Sequence, residues 1–351
     1  MLLLAIALQA QNEQSVVIVS TTGKVALISK GKSKARPVQA GAVAQTTSQL
    51  KLGEGATATL YCGGQFKTVQ GGQTIELPSI CIEKTGSRAL DAEYYFGEKL
   101  IAAVEMVAVA KSQGAGWSNS IADPKKSGDG WGASIADPKK SGDGWGNSIA
   151  DPKKSGDGWG NSIADPKKSG DGWGGKGSSI RLILPEGKVS ATNISFSWSR
   201  PKTSAPYQLE IQDENNKTVH SISVKDTSAV LDLKGLNLTP DQIYTWKVSV
   251  LGGESIVSEE LKFSVGSEEE LQTIVKEAGS TELSQTAQSP ALRSLVEAVA
   301  LEEAGWKYAA AQTYATLAQN KSDNLVRMMH AAFWMRLGFR RLSEKAGRGW
   351  I

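Results

Sequence analysis

Between residues 15 and 80, short β-type runs of mixed apolar and polar residues at 16–19, 24–29, 48–52, 56–61, 65–69 and 73–77 are cut by glycine and polar turns. Runs of about five residues with a turn every eight to ten or so predict short antiparallel strands folded into a small barrel or sandwich. Over 89–111 the period lengthens. Leu90, Tyr94, Leu100, Ile101, Val104, Val107 and Val109 form an Ala-rich apolar segment without Pro, with Glu93, Glu98 and Lys99 near its start. That pattern predicts a helix packed on the β-domain or on a partner. Residues 180–184, 193–199, 207–212, 218–224, 229–233, 243–250 and 259–265 read as strands, with turn signals at Asp213-Glu214-Asn215-Asn216 and Gly252-Gly253. Seven such strands argue for a β-sandwich. From Ser267 onward helical spacing takes over, in segments at 268–278, 291–304, 307–319 and 324–337 with a stub to 346. The acidic start of the first suits the helix macrodipole.

From Gly116 the unit GWGNSIADPKKSGD recurs four times with a period of 14. Trp117, Trp131, Trp145, Trp159 and Trp173 mark the register, as do Pro124, Pro138, Pro152 and Pro166. The changes are few: Ser118 stands for Gly in the first unit and Ala133 for Asn in the second. One Trp, one Ile and one Ala per unit offer on the order of 5 kcal/mol if fully buried. Ordering the backbone of one unit costs about 14 kcal/mol or more. A single unit is therefore not expected to fold, and the segment reads as a linker with turns at Asp-Pro and Gly-Asp-Gly. Three sharper readings stand beside that one. Asp123 and Asp129 with their repeats could bind calcium, though the alternation of an EF loop is missing. The spaced Trp rings could stack on sugars or a partner surface and gain by avidity. The triplets Trp117-Ser118-Asn119, Trp145-Gly146-Asn147 and Trp159-Gly160-Asn161 also resemble the aromatic-x-Asn motifs of cyclophane-bearing ribosomal peptides, although Trp131-Gly132-Ala133 breaks the series.

Composition narrows the function classes. The 351 residues suit several domains, and a net charge of +3 gives no support to polyanion or nucleic-acid binding. Two His and two Cys leave little material for a zinc site or His-based catalysis. Gly-x-Ser-x-Gly, phosphate loops, HExxH and CxxC do not occur, so no catalytic residue, cofactor or metal is expected. Gly63-Gly64 and Gly71-Gly72 read as hairpin turns. His220 and His330 read as structural positions. The opening MLLLAIALQA is too short to span a bilayer and fits the apolar core of a secretory signal, possessing a cleavage site after Ala10. A buried N-terminal strand is the other reading. In an oxidising compartment Cys62 and Cys81 are candidates for one disulfide; two buried thiols are the alternative.

Three regions resemble known families. Gly23-Lys24-Val25, Val38-Gln39-Ala40-Gly41, Leu50 to Leu52 and Glu54-Gly55-Ala56 resemble a FecR-type periplasmic domain, implying a cell-envelope β-domain over 11–88. Pro185-Glu186-Gly187, Phe196-Ser197-Trp198, Tyr207-Gln208-Leu209-Glu210-Ile211 and Tyr244-Thr245-Trp246-Lys247-Val248 resemble a fibronectin type III or immunoglobulin-like domain over 178–266. That resemblance implies a core role for Trp198 and a tyrosine corner for Tyr244. Gly305, Tyr308, Ala310, Tyr314, Asp323-Asn324 and Ala331-Ala332 with Leu337-Gly338 resemble about one and a half tetratricopeptide units within 267–351. So few units are expected to lean on another domain or to dock on a partner.

The chain thus reads as multidomain and mainly β, with a signal at 1–10, a helix at 89–113, a repeat linker at 114–177 and a C-terminal helical repeat. The expected role is a non-enzymatic exported scaffold or signalling adaptor, periplasmic or at the cell surface. Its partner would be an envelope protein, with no stable membrane insertion. Met328, Met329, Phe333, Trp334 and Met335 read as helix packing first, with Met328, Phe333 and Trp334 as the docking face if the helices bind a partner, while Arg336, Arg340, Arg341, Lys345 and Arg348 read as a solvated basic helix end or a contact to an acidic partner or the membrane surface. The alternative is a surface protein that binds polysaccharide through the Trp repeats and the sandwich. A substrate for peptide modification at Trp-x-Asn is the third.

Overall fold

A computed structural model describes residues 15–81, 92–112, 180–199, 205–252, 256–287, 289–319 and 323–347. The chain divides into two compact units, residues 1–89 with 287–289 and residues 90–286 with 290–351.

The first unit is built from β1 (Ser15–Thr22), β2 (Val25–Ile28), β3 (Arg36–Pro37), β4 (Val43–Gln45), β5 (Gln49–Leu52), β6 (Thr57–Cys62), β7 (Gln65–Gln70), β8 (Thr74–Glu76) and a single turn of helix, α1 (Leu77–Ile80). The strands form two four-stranded sheets, ordered β4-β1-β6-β7 and β3-β2-β5-β8. Among the described residues this is a sandwich and not a closed barrel. Alternation explains the packing: Val25 and Leu27, Leu50 and Leu52, and Ala58 and Leu60 each project alternate side chains into one shared core. The six predicted runs appear as β1, β2, β5, β6, β7 and β8, while β3 and β4 are too short to leave a pattern. Gly63 and Gly64, with φ of 56° and 73°, close the β6–β7 hairpin as a two-residue turn that needs positive φ at both positions. Gly71-Gly72 is different, because β7 and β8 lie in separate sheets. It is a crossing between layers, not a hairpin. A side chain at Gly71 would meet the Gly53 carbonyl oxygen at 2.0 Å, so only glycine fits there.

The second unit holds a two-sheet sandwich and a helical array. The sandwich strands are β9 (Leu182–Leu184), β10 (Gly187–Val189), β11 (Asn193–Trp198), β12 (Tyr207–Gln212), β13 (Thr218–Val224), β14 (Ser228–Asp232), β15 (Ile243–Val250) and β16 (Leu261–Val265). One sheet is ordered β14-β11-β9 and the other β10-β16-β15-β12-β13. The first strand is split. Its first half pairs with β11, and after Pro185-Glu186 its second half runs parallel to β16 in the opposite sheet. This is the strand order of a fibronectin-like sandwich. Phe196 packs edge-on against Trp246 (ring centroids 5.1 Å apart) and against Phe263 (5.6 Å), and Trp246 Nε1 donates to the Pro185 carbonyl at 2.9 Å. The largest core residue is therefore Trp246, with Trp198 also buried beside Tyr207 at 5.7 Å.

The helices are α2 (Ala92–Ser112), then, after the sandwich, α3 (Glu268–Ser280), α4 (Glu282–Thr286), α5 (Pro290–Glu303), α6 (Lys307–Leu317), α7 (Asn324–Arg336) and α8 (Arg340–Ala346). Ser267 caps α3 through the Glu270 amide, and Asp323 caps α7 through the Val326 amide. α2 packs against α3, α5 and α7, although residues 113–179 and the whole sandwich separate them in sequence. The helix expected on the β-domain or on a partner thus belongs to the second unit. Ten of the thirteen residues of α7 are buried, as fits a helix surrounded by α2, α5, α6 and α8.

Candidate functional site

α2 is the piece that reorganises the molecule. Phe96, Leu100, Ala103 and Val104 are buried along one stripe at helical spacing. Lys99 beside that stripe reaches Glu303 at 2.6 Å and Glu302 at 3.4 Å on α5, and Glu93 accepts the Leu283 amide at the start of α4 at 3.2 Å. Beneath Lys99 lies a buried ion pair. Arg336 Nε and Nη2 each donate to a Glu302 carboxylate oxygen at 2.7 Å, a two-pronged match of guanidinium to carboxylate. Burial alone would raise the Glu302 pKa, but Arg336 and Lys99 outweigh it and hold the group at about 2. Burial would correspondingly lower the Arg336 pKa, and Glu302 raises it instead. Arg336 is therefore not part of a solvated basic end. Arg340 pairs with Glu344 one turn along at 3.1 Å.

Next to this pair Tyr314 stacks on His330, with ring centroids 5.9 Å apart and planes 6° from parallel. Trp334 Nε1 donates to His330 Nε2 at 2.8 Å, which requires the imidazole to be neutral with its hydrogen on Nδ1. Burial pushes the His330 pKa down to about 4, in keeping with that hydrogen bond. On α2, burial pushes the Glu105 carboxyl up to about 7.

The helices and the sandwich meet at a second seam. Lys307, almost wholly buried, pairs with Glu186 at 2.7 Å, and Lys188 pairs with Glu270. The Lys188 amide donates to the Gly305 carbonyl at 2.9 Å, and the Tyr308 hydroxyl accepts the Ser195 amide at 3.0 Å. Trp306 is fully buried at this seam, and a side chain on Gly266 would meet its ring at 2.6 Å. Arg181 lies over the Phe339 ring, 4.4 Å from its centroid.

The predicted residues can now be placed. Cys62 and Cys81 form a disulfide, with Cα atoms 5.3 Å apart, tying the end of β6 to the turn after α1. Trp198 and Tyr244 are both buried in the sandwich core, and the Tyr244 hydroxyl accepts the Thr239 amide at 2.8 Å, five residues upstream. Of the two readings of Met328, Phe333 and Trp334, the burial agrees with helix packing and not with a docking face. Met328 and Phe333 are completely buried and Trp334 is half-buried, because α2 and the neighbouring helices enclose α7. Trp117, Trp131, Trp145, Trp159 and Trp173, and the opening Met1–Ala10, lie outside the described residues. Sequence reading missed the Glu302–Arg336 pair, the Lys307–Glu186 pair, the Trp306 seam and the destination of α2. Among the described residues no group of three His, Cys, Asp or Glu could hold a metal ion, and no helix is long and apolar enough to cross a membrane.

The topology carries one further consequence. Residue 112 ends a helix of the second unit and residue 182 begins a strand of the same unit. The described elements that flank the tandem repeat, α2 and β9, therefore belong to one compact unit.

No protein-family model matches the chain, and no curated protein matches it. Among solved structures, the FN1–FN3 domains of chicken CNTN1 are similar over 73% of this chain and 55% of that one, at 11% identity and a TM-score of 0.18. This chain thus spans little more than half the length of that structure. A superposition at that score carries no argument, so the sandwich assignment rests on strand order and register alone.

Proposed function

We propose that the protein is an exported, non-enzymatic scaffold that binds a protein partner in the cell envelope, and that the tandem repeat is its recognition element. The observation that carries this reading is the anchoring of both ends of the repeat, at α2 and β9, on a single compact unit. The segment between α2 and β9 carries four near-identical 14-residue units in tandem. Such an array multiplies a weak contact through effective concentration, and Trp is the side chain that most often anchors protein interfaces. The sandwich and helices serve as the platform, since the apolar residues that would dock a partner are consumed inside it. The Cys62–Cys81 disulfide suits an oxidising compartment.

The test is affinity capture from the host's envelope fraction. The baits are residues 11–351 and a copy whose residues 116–173 are replaced by a Gly/Ser segment of equal length. A protein recovered only by the native chain is then produced alone and titrated against chains with one, two, three and four units. The reading predicts affinity that falls stepwise as units are removed. Equal capture by the Gly/Ser copy would move recognition to the platform. Recovery of a polysaccharide in place of a protein would establish the glycan-binding alternative.

A further inference from the structure

Packing on α3, α5 and α7 gives α2 the character of a ligand in a groove. It offers a single apolar stripe, Phe96, Leu100, Ala103 and Val104, all buried. It also carries complementary polar contacts at its sides: Lys99 to Glu302 and Glu303, and Glu93 to the backbone amide that opens α4. This is the anatomy of helix-in-groove recognition, apolar anchors at helical spacing flanked by matched charges. The disulfide, whose partners are the chain's two cysteines, lies wholly on the N-terminal side of the repeat.

We infer that the α3–α5–α7 face is a receptor surface for the apolar helix α2, and that its hold on α2 keeps residues 1–112 attached to residues 180–351 even when the chain through the repeat is cut. The repeat is then free to vary in copy number, or to be cleaved, without the molecule falling apart. This inference rests on the packing of α2 and stands whether or not the repeat binds a protein.

The experiment uses the full chain with a site-specific protease sequence inserted between Gly142 and Asp143. It is digested until a denaturing gel retains only the two fragments, then run on gel filtration in native buffer at micromolar concentration. The fragments are expected to co-elute at the volume of the uncut protein. An excess of synthetic peptide spanning residues 92–112 is expected to displace the N-terminal fragment, whereas the same peptide carrying Leu100→Asp and Lys99→Glu is not. The peptide arm keeps the test decisive if the same changes in the full chain prevent folding. Separation of the fragments of the native cut chain would overturn the inference. So would displacement by both peptides alike, or by neither, since the hold would then lie somewhere other than the α2 groove.

Discussion

At the residue scale, the account turns on a few buried charged groups and one disulfide. Arg336 gives the buried Glu302 carboxylate two hydrogen bonds, with Lys99 3.4 Å away as a weaker second charge, so losing Arg336 leaves Glu302 poorly compensated. Arg336→Met is therefore expected to destabilise the second unit by roughly 3–5 kcal/mol, read as a drop in denaturant midpoint. A change within experimental error would show that solvent reaches the pair. The pH dependence follows from three groups. Glu302 is lowered from 4.5 to about 2, so its contribution is complete above 4.5 and lost as pH falls through about 2. His330 is lowered from 6.5 to about 4, so its contribution is complete above 6.5 and fades as pH falls toward 4. Glu105 acts in the opposite sense: raised from 4.5 to about 7, it favours the folded state fully below 4.5 and loses that benefit as pH rises through 7. Glu105→Gln is expected to match the native chain near pH 4.5 and exceed it in stability above pH 7. Equal differences at both pH values would contradict the assignment. Replacing Cys62 and Cys81 with Ser removes a cross-link over 19 residues and is expected to cost the first unit about 3 kcal/mol, with the second unit unchanged. Calorimetry with the two transitions resolved separates these effects.

The residues that sequence reading placed well are those whose signal is local. Cys62 and Cys81 sit on neighbouring chain segments, and the roles of Trp198 and Tyr244 came from short motifs that resemble a fibronectin-type domain. Arg336 and Glu302 lie 34 residues apart on separate helices, and each looks like an ordinary surface charge in its own window. Met328 and Phe333 were legible as helix packing, but not the helix that covers them, because part of what encloses α7 comes from more than 200 positions upstream.

At the element scale the same limit recurs. The long strands were visible from alternation, but β3, β4 and β10 span two or three residues each and leave no period to read. α2 was visible as a helix, yet its apolar stripe does not name its receptor. The packing gives the receptor its partners: α2 covers part of α3, α5 and α7, while the sandwich meets α6 through β10. The seam between sandwich and helices offers a direct check. Gly266→Ala drives a methyl group into the Trp306 ring and is expected to cost about 1–3 kcal/mol. The sandwich and the helices should then lose stability together. Loss confined to the helices would mean that the two layers unfold independently.

At the scale of the whole molecule, the chain leaves α2, passes through the repeat and re-enters the same body at β9. Loop closure depends only logarithmically on length, so removing two of the four units is expected to alter the stability of the second unit by less than about 1 kcal/mol. In the proposed reading, the helices and sandwich set stability and the repeat between α2 and β9 makes the contact to a partner. The central claim is that α2 is an integral helix of that platform. Hydrogen exchange of the full chain tests it most directly, by comparing amides 96–104 with those of α5 and α7. The account predicts that all three helices open with the same free energy, and that Leu100→Asp lowers protection in α5 and α7 as well as in α2. Fast exchange in α2 beside slow exchange in α5 and α7 would contradict it and return the repeat to the role of a linker.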